Sequence, residues 1–116
     1  MSIKYKRTEL GMTKPVEIVQ SNDNMVLVYT FELQLAKMAD MENAEPFEII
    51  QAQLDSIKLS KEFLTGLLKL TDKQQDKLGG LEVEATVEIA NDLGMRLMGM
   101  DPDKDVSAED EESEKN

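Results

Sequence analysis

The feature that most constrains this chain is an apolar stripe of helical spacing between residues 46 and 70. Its members recur mostly every three or four residues: Phe47, Ile50, Leu54, Ile57, Leu64 and Leu68. Because residues three and four apart share one face of a helix, this spacing predicts an amphipathic helix from about Pro46 to Leu70. Pro46 suits the first turn, where its missing N–H leaves no hydrogen bond unmade. Two helices that meet near Leu59–Ser60 fit the same pattern.

Two further helices are predicted after the stripe. Thr71 has the chemistry of an N-cap, and Gln74 stands three residues later, which is the spacing of a capping box. The pair Gly79–Gly80 is expected to end this helix after two turns. A last helix is predicted from about Glu82 to Met98, and Pro102 prevents it from continuing.

The residues that precede the stripe allow two interpretations. Val16, Ile18 and Val19 form one β-branched run, and a second apolar run covers residues 25–29. The sequence QSNDN between them is a cluster of turn formers, so we predict a β-hairpin that ends at about Tyr29, followed by a helix from Phe31 to Met41. The alternative is one helix that begins near Asn24 and continues to Met41.

These assignments predict a mainly α fold. We expect a single helical domain of about four helices over residues 1–100, in which residues 1–29 form strands or an irregular arm. Ile3 and Tyr5 alternate with polar neighbours, which is typical of a short strand, although a frayed chain end fits as well. We expect residues 101–116 to form a disordered acidic tail.

The expected tail, DPDKDVSAEDEESEKN, holds eight acidic residues and two lysines, a net charge of −6 out of −11 for the whole chain. A segment of low hydrophobicity and high charge cannot bury enough apolar surface to offset the entropy of ordering it. A chain this acidic is also repelled by phosphate backbones and anionic lipid surfaces. We therefore expect neither nucleic acid nor a membrane as a partner.

The composition removes most catalytic constellations. The chain has no His and no Cys, hence neither the commonest general acid/base nor a thiol nucleophile. Glu82, Glu84 and Glu88 lie close in sequence, but a solvated helix face explains them better than an acid/base pair. We predict no catalytic, cofactor-binding or metal-binding residue and no enzymatic activity. Because no apolar run approaches a membrane span and no signal-peptide core follows Met1, we expect a cytoplasmic protein.

Methionine is the residue type that most suggests a binding surface. Met95, Met98 and Met100 cluster at the end of the last helix. The flexible Met side chain suits surfaces that accept varied partners, although core packing explains methionines too. Exposed apolar helix faces could hold a helix of another protein, while the negative charge keeps the complex soluble.

Residues 60–116 resemble the tail assembly chaperones of long-tailed bacteriophages, particularly those that infect Gram-positive bacteria. An apolar helix ends in Leu70-Thr71, a short capped turn follows in DKQQDKL, and the segment LEVEATVEIANDL leads to LMG before the acidic terminus. The resemblance implies a chaperone without catalytic activity. Such proteins coat the long, apolar, helical tape-measure protein and keep it soluble until tail-tube subunits are recruited around it.

The resemblance further implies self-association along the rod and a location in the host cytoplasm, not in the mature virion. For the partner-binding grooves we predict seven residues: Leu64, Leu67, Leu68, Leu93, Leu97, Met98 and Met100. Replacing Leu97 and Met98 together with Asp is expected to abolish capture of the partner and leave the helix content unchanged.

Two hypotheses from other classes compete with this one. The first is an acidic nucleic-acid mimic that inhibits a host enzyme. The concentration of acidic residues in the tail weakens this hypothesis, because a mimic needs them spread over a folded surface. The second is an enzyme that uses carboxylates with a divalent ion, for which the sequence shows no clustered Asp signature.

Overall fold

The computed structural model describes residues 1–100, and within them a short antiparallel hairpin precedes four helices. The prediction of a mainly α fold with an N-terminal hairpin is confirmed. The elements are β1 Ser2–Tyr5, β2 Val16–Val19, α1 Asn22–Ala39, α2 Pro46–Leu68, α3 Asp72–Gly79 and α4 Val83–Leu97, with a 3-10 turn at Thr8–Leu10. The predicted disordered tail lies outside the described residues.

The hairpin combines the predicted strand over Val16–Val19 with the short strand suggested by Ile3 and Tyr5, and not with residues 25–29. β2 pairs with β1, with Ser2 opposite Val19 and Tyr5 opposite Val16. The predicted second strand over residues 25–29 is wrong, because these residues lie inside α1. The polar cluster before them caps a helix: the Ser21 hydroxyl accepts a hydrogen bond from the Asn24 N–H at 3.2 Å. The alternative helix that begins near Asn24 is therefore correct, and the predicted start at Phe31 is not.

Helix α2 agrees with the stripe. It begins at Pro46, where the Glu48 carboxylate accepts a hydrogen bond from the Glu45 N–H at 3.1 Å. It ends at Leu68 because Lys69 adopts the left-handed conformation with φ of 52°. Two separate helices meeting near Leu59–Ser60 are not observed.

The capping box of α3 is also confirmed. The Gln74 N–H donates to the Thr71 hydroxyl at 3.2 Å, and the Thr71 N–H donates to the Gln74 side-chain oxygen at 2.9 Å. The helix also ends where it was expected to end, because its last residue is Gly79 and Gly80 follows directly. Helix α4 matches the predicted range within one residue at each end.

The core lies where α1, α2 and α4 pack on one another. Phe31 of α1 stacks on Phe63 of α2 with ring centroids 4.8 Å apart. Gly94 of α4 allows the close approach, because a Cβ atom there would lie 3.0 Å from Glu32 Oε2 and 3.6 Å from the Phe63 ring. The remaining large side chains of the core include Leu10, Ile18, Val28, Leu64, Leu68, Leu78, Ile89, Leu93 and Leu97.

A polar cluster fastens the hairpin to α4. The Tyr5 hydroxyl donates to Asp92 Oδ2 at 2.7 Å, and Arg7 and Arg96 form ion pairs with the same carboxylate at 3.3 and 3.1 Å. Burial, reinforced by this hydrogen bond to Asp92, raises the pKa of the Tyr5 phenol well above its usual value. The phenol therefore keeps its proton at neutral pH and acts as a stable donor. The Gln20 amide also donates to the Leu97 carbonyl, close to the end of α4.

Candidate partner-binding surface

The apolar stripe of α2 is buried at one end and open at the other. Leu64 and Leu68 belong to the core, together with Leu78 of α3 and Ile18 of β2. The four stripe residues nearer the N-terminus of α2 are between 37% and 74% exposed: Phe47, Ile50, Leu54 and Ile57. We call these four residues the open stripe. Their positions repeat the three- and four-residue spacing of a coiled-coil seam, which is the pattern that packs against another helix.

A groove adjoins the open stripe at Ile57. It has a volume of about 620 Å³ and is lined by all three large helices: Leu35, Met38 and Ala39 of α1, Gln53, Ser56 and Ile57 of α2, and Val83 and Val87 of α4. This volume lies within the usual range of about 300–1,000 Å³ for ligand pockets. Because its lining is mainly aliphatic, the groove suits apolar side chains.

The open stripe and the groove share Ile57, and we call the two together the open face. Scattered exposed apolar residues are normal on soluble proteins, but four at seam spacing beside an apolar groove are a patch. Full burial of a Leu, Ile or Phe side chain contributes roughly 1.5–3 kcal/mol. Covering the open face would therefore stabilise a complex by several kcal/mol before the entropy of association is subtracted.

A second, shorter apolar stripe lies on the outside of α1. Val26, Tyr29 and Leu33 are each more than half exposed and share the three- and four-residue spacing. We call this set the α1 stripe. It lies on another helix than the open stripe, and none of its three residues lines the groove.

The structure places most of the predicted partner-binding residues in the core. Five of the seven are at most 3% exposed: Leu64, Leu67, Leu68, Leu93 and Leu97. Met98 is half-buried against the core, and Met100 is 55% exposed. The binding role of this set stays a prediction, but core packing now accounts for its five leucines. Because Leu97 is buried, replacing it with Asp is expected to reduce the helix content, contrary to our expectation from the sequence.

The residues of the open stripe were visible in the sequence but not distinguishable from the core. Leu54 and Leu64 have the same residue type and occupy the same repeat on α2. The positions of α3, α4 and the hairpin bury Leu64 and leave Leu54 exposed. The single weak signal was Lys61, which interrupts the stripe where its environment changes from open to buried.

The acidic residues of the described chain do not assemble into a site. Within residues 1–100 there is no group of three or more Asp or Glu side chains placed to hold a metal ion. Glu84 and Glu88 are exposed on α4, and Asp92 is engaged with Tyr5, Arg7 and Arg96. None of the described helices combines the length and the apolar character needed to cross a membrane.

These features define a small helical protein whose exposed chemistry suits contacts with another polypeptide. The chain belongs to the phage tail assembly chaperone proteins, TAC: the model of this family matches residues 1–114. The family resemblance that we based on residues 60–116 is therefore confirmed, and it extends over the hairpin and α1 as well. Neither the curated proteins nor the solved structures contain a match to this chain.

Proposed function

We propose that this tail assembly chaperone binds the tape-measure protein along the open face and keeps it soluble until tail-tube subunits assemble around it. The observation that carries this proposal is the open stripe of α2, which has the spacing of a helix-packing seam and no covering element within residues 1–100. A seam of this kind fits an amphipathic helix laid alongside it. The family resemblance supplies such a partner, because it implies a long, apolar, helical tape-measure protein.

The charge of the chain supports the second half of the proposal. An apolar rod covered by copies of a protein with a net charge of −11 gains like charge along its whole length. Mutual repulsion between such complexes opposes their aggregation. Binding and dispersal would thus come from different parts of the sequence, the open face and the surplus of acidic residues.

The proposed site of action is the host cytoplasm, during tail assembly and before the virion is complete. The complex of chaperone and tape-measure protein is proposed to recruit the tail-tube subunits. A direct check is whether tail-tube protein is retained on the purified complex and not on the tape-measure protein alone. Absence of any added retention would refute the recruiting role and leave the binding role intact.

The binding role is tested with two matched variants and one apolar helical segment of the tape-measure protein of the same phage. In the first variant, Ile50→Asp and Leu54→Asp place two charges on the open stripe. In the control, Tyr29→Asp and Leu33→Asp place two charges on the α1 stripe, whose residues are similarly exposed. Far-UV circular dichroism establishes that both variants keep the helix content of the wild-type chain.

The expected result is a selective loss of affinity. Titration of the labelled segment should give a dissociation constant at least about tenfold higher for the open-stripe variant, because two seam positions lose their apolar contacts. The control should bind within a factor of about two of the wild-type chain. Equal binding by both variants, or equal loss in both, would refute the open face as the tape-measure site.

A further inference from the structure

We infer that the α1 stripe is the contact between two copies of this chain, which pair through α1 in an antiparallel, two-fold symmetric arrangement. This inference goes beyond the proposed function and does not depend on it, because it concerns another helix and a partner of identical sequence. It rests on the apolar character of the α1 stripe together with the charges that flank it.

The stripe has the geometry of a short helix seam. Val26, Tyr29 and Leu33 are followed at the next position of the repeat by Ala36, which is also exposed. All four point away from the core, which receives Val28 and Phe31 of the same helix. An antiparallel copy centred on this seam would layer Tyr29 on Leu33 of the partner, and Val26 on Ala36 of the partner, twice each by symmetry.

The charges at the two ends of the seam complement each other in this arrangement. Asp23 lies in the first turn of α1 and Lys37 in its last turn. An antiparallel pair places Asp23 of each copy beside Lys37 of the other, at flanking positions where opposite charges set the orientation of paired helices. Both side chains are exposed, and neither forms an ion pair within residues 1–100.

The acidic residue nearest the centre of the seam does not oppose this pairing. Glu32 occupies the flanking position on the other side of the stripe, where two symmetric copies would bring like charges together. Its Oε2 atom is instead buried against α4, at 3.0 Å from the position of a Cβ on Gly94. The carboxyl is thereby turned away from the surface that a second copy would cover.

The size of the seam sets the expected strength. Helix α1 has 18 residues and is therefore about 27 Å long, so two such helices bury much less than the roughly 1,600 Å² of a standard interface. We expect a reversible dimer with a dissociation constant in the micromolar range. A weak contact of this kind would allow copies to associate and separate.

Sedimentation equilibrium of the full chain over a wide concentration range tests the contact. The wild-type chain is expected to shift from monomer to dimer with rising concentration, and the Tyr29→Asp, Leu33→Asp variant to stay monomeric. The Ile50→Asp, Leu54→Asp variant, which carries the same added charge on α2, is expected to dimerise like the wild-type chain. A wild-type chain that stays monomeric to about millimolar concentration, or dimers in the α1-stripe variant, would overturn the inference.

A charge exchange tests the antiparallel orientation. Asp23→Lys alone and Lys37→Asp alone each place like charges at both ends of the pair, and each should weaken dimerisation about tenfold at about 0.1 M salt. Combining both substitutions in one chain restores opposite charges across the interface and should restore the dimer. The two positions are 14 residues and thus about 21 Å apart along α1, farther than the Debye length of about 10 Å, so the restoration cannot arise within one chain.

The outcomes separate this inference from the proposed function. Dimerisation is measured without any tail protein, and tape-measure binding is measured on one labelled segment. If the double exchange fails to restore a dimer that each single change weakens, the antiparallel pairing is refuted. If neither single change weakens the dimer, the contact between Asp23 and Lys37 is refuted. Capture of the tape-measure segment is unaffected by either outcome.

Discussion

Leu54 and Leu64 occupy the same stripe of α2, yet the structure predicts very different consequences for shortening them. Leu64 is fully buried, and Leu54 is 44% exposed. Leu64→Ala removes three carbon atoms from a packed core and leaves a cavity, which costs about 2–5 kcal/mol. Leu54→Ala loses roughly half of a Leu transfer free energy and leaves no cavity, so we expect about 1 kcal/mol or less. Leu and Ala both favour helices, so helix propensity adds little to either value.

Urea unfolding followed by far-UV circular dichroism measures the difference. With a denaturant slope of about 2 kcal/mol per molar urea, a loss of about 3 kcal/mol lowers the unfolding midpoint of Leu64→Ala by about 1.5 M. The midpoint of Leu54→Ala should fall by about 0.5 M or less, and the slope should stay unchanged in both variants. A small domain has a total stability of about 5–15 kcal/mol, so Leu64→Ala remains folded in buffer.

The same two variants separate packing from partner binding. Leu54→Ala is expected to weaken binding of the tape-measure segment severalfold while leaving stability nearly intact, since its exposed side chain belongs to the open stripe. Leu64→Ala is expected to do the reverse. Similar midpoint shifts for the two variants would show that Leu54 and Leu64 are equally buried, and the open face would then not exist as described.

Three further predictions concern contacts that hold the fold. Thr71→Ala removes the cap of α3 and should lower stability by about 1 kcal/mol, seen as a drop of about 4–8 °C in the thermal midpoint. Tyr5→Phe deletes the hydroxyl that donates to Asp92 at 2.7 Å and should cost about 1 kcal/mol in urea unfolding. Burial raises the pKa of Glu32 above its usual 4.5, so the stability that this group contributes is complete below pH 4.5 and lost as the pH rises through the folded pKa. Glu32→Gln should therefore raise the thermal midpoint near pH 7 and lose this advantage below pH 4.5.

The helices whose ends are coded by neighbouring residues could be predicted well. Thr71 with Gln74 forms the predicted capping box, and Pro46 occupies the first position of α2 as predicted, so both signals act within three residues. Residues 25–29 could not be assigned in the same way, because a short apolar run of β-branched residues fits a strand and a helix alike. The partner strand of β2 is β1, whose residues lie 11 to 17 positions before the residues they pair with, so residues 25–29 are not needed in the hairpin and join α1.

By itself, the sequence determined the helical class, the periodic stripe of α2, the strong negative charge and the resemblance to tail assembly chaperones. Helix propensity and residue spacing act between neighbouring residues, and charge is a sum over the chain, so none of these properties depends on the tertiary structure. Only the tertiary structure decided which half of the stripe is core and which half is surface. Leu54 and Leu64 are chemically identical, and their difference arises because α3, α4 and the hairpin cover one end of α2 and leave the other to solvent. The candidate binding surface consists of apolar side chains that remain exposed after folding. Contacts between segments far apart in the chain determine which side chains these are.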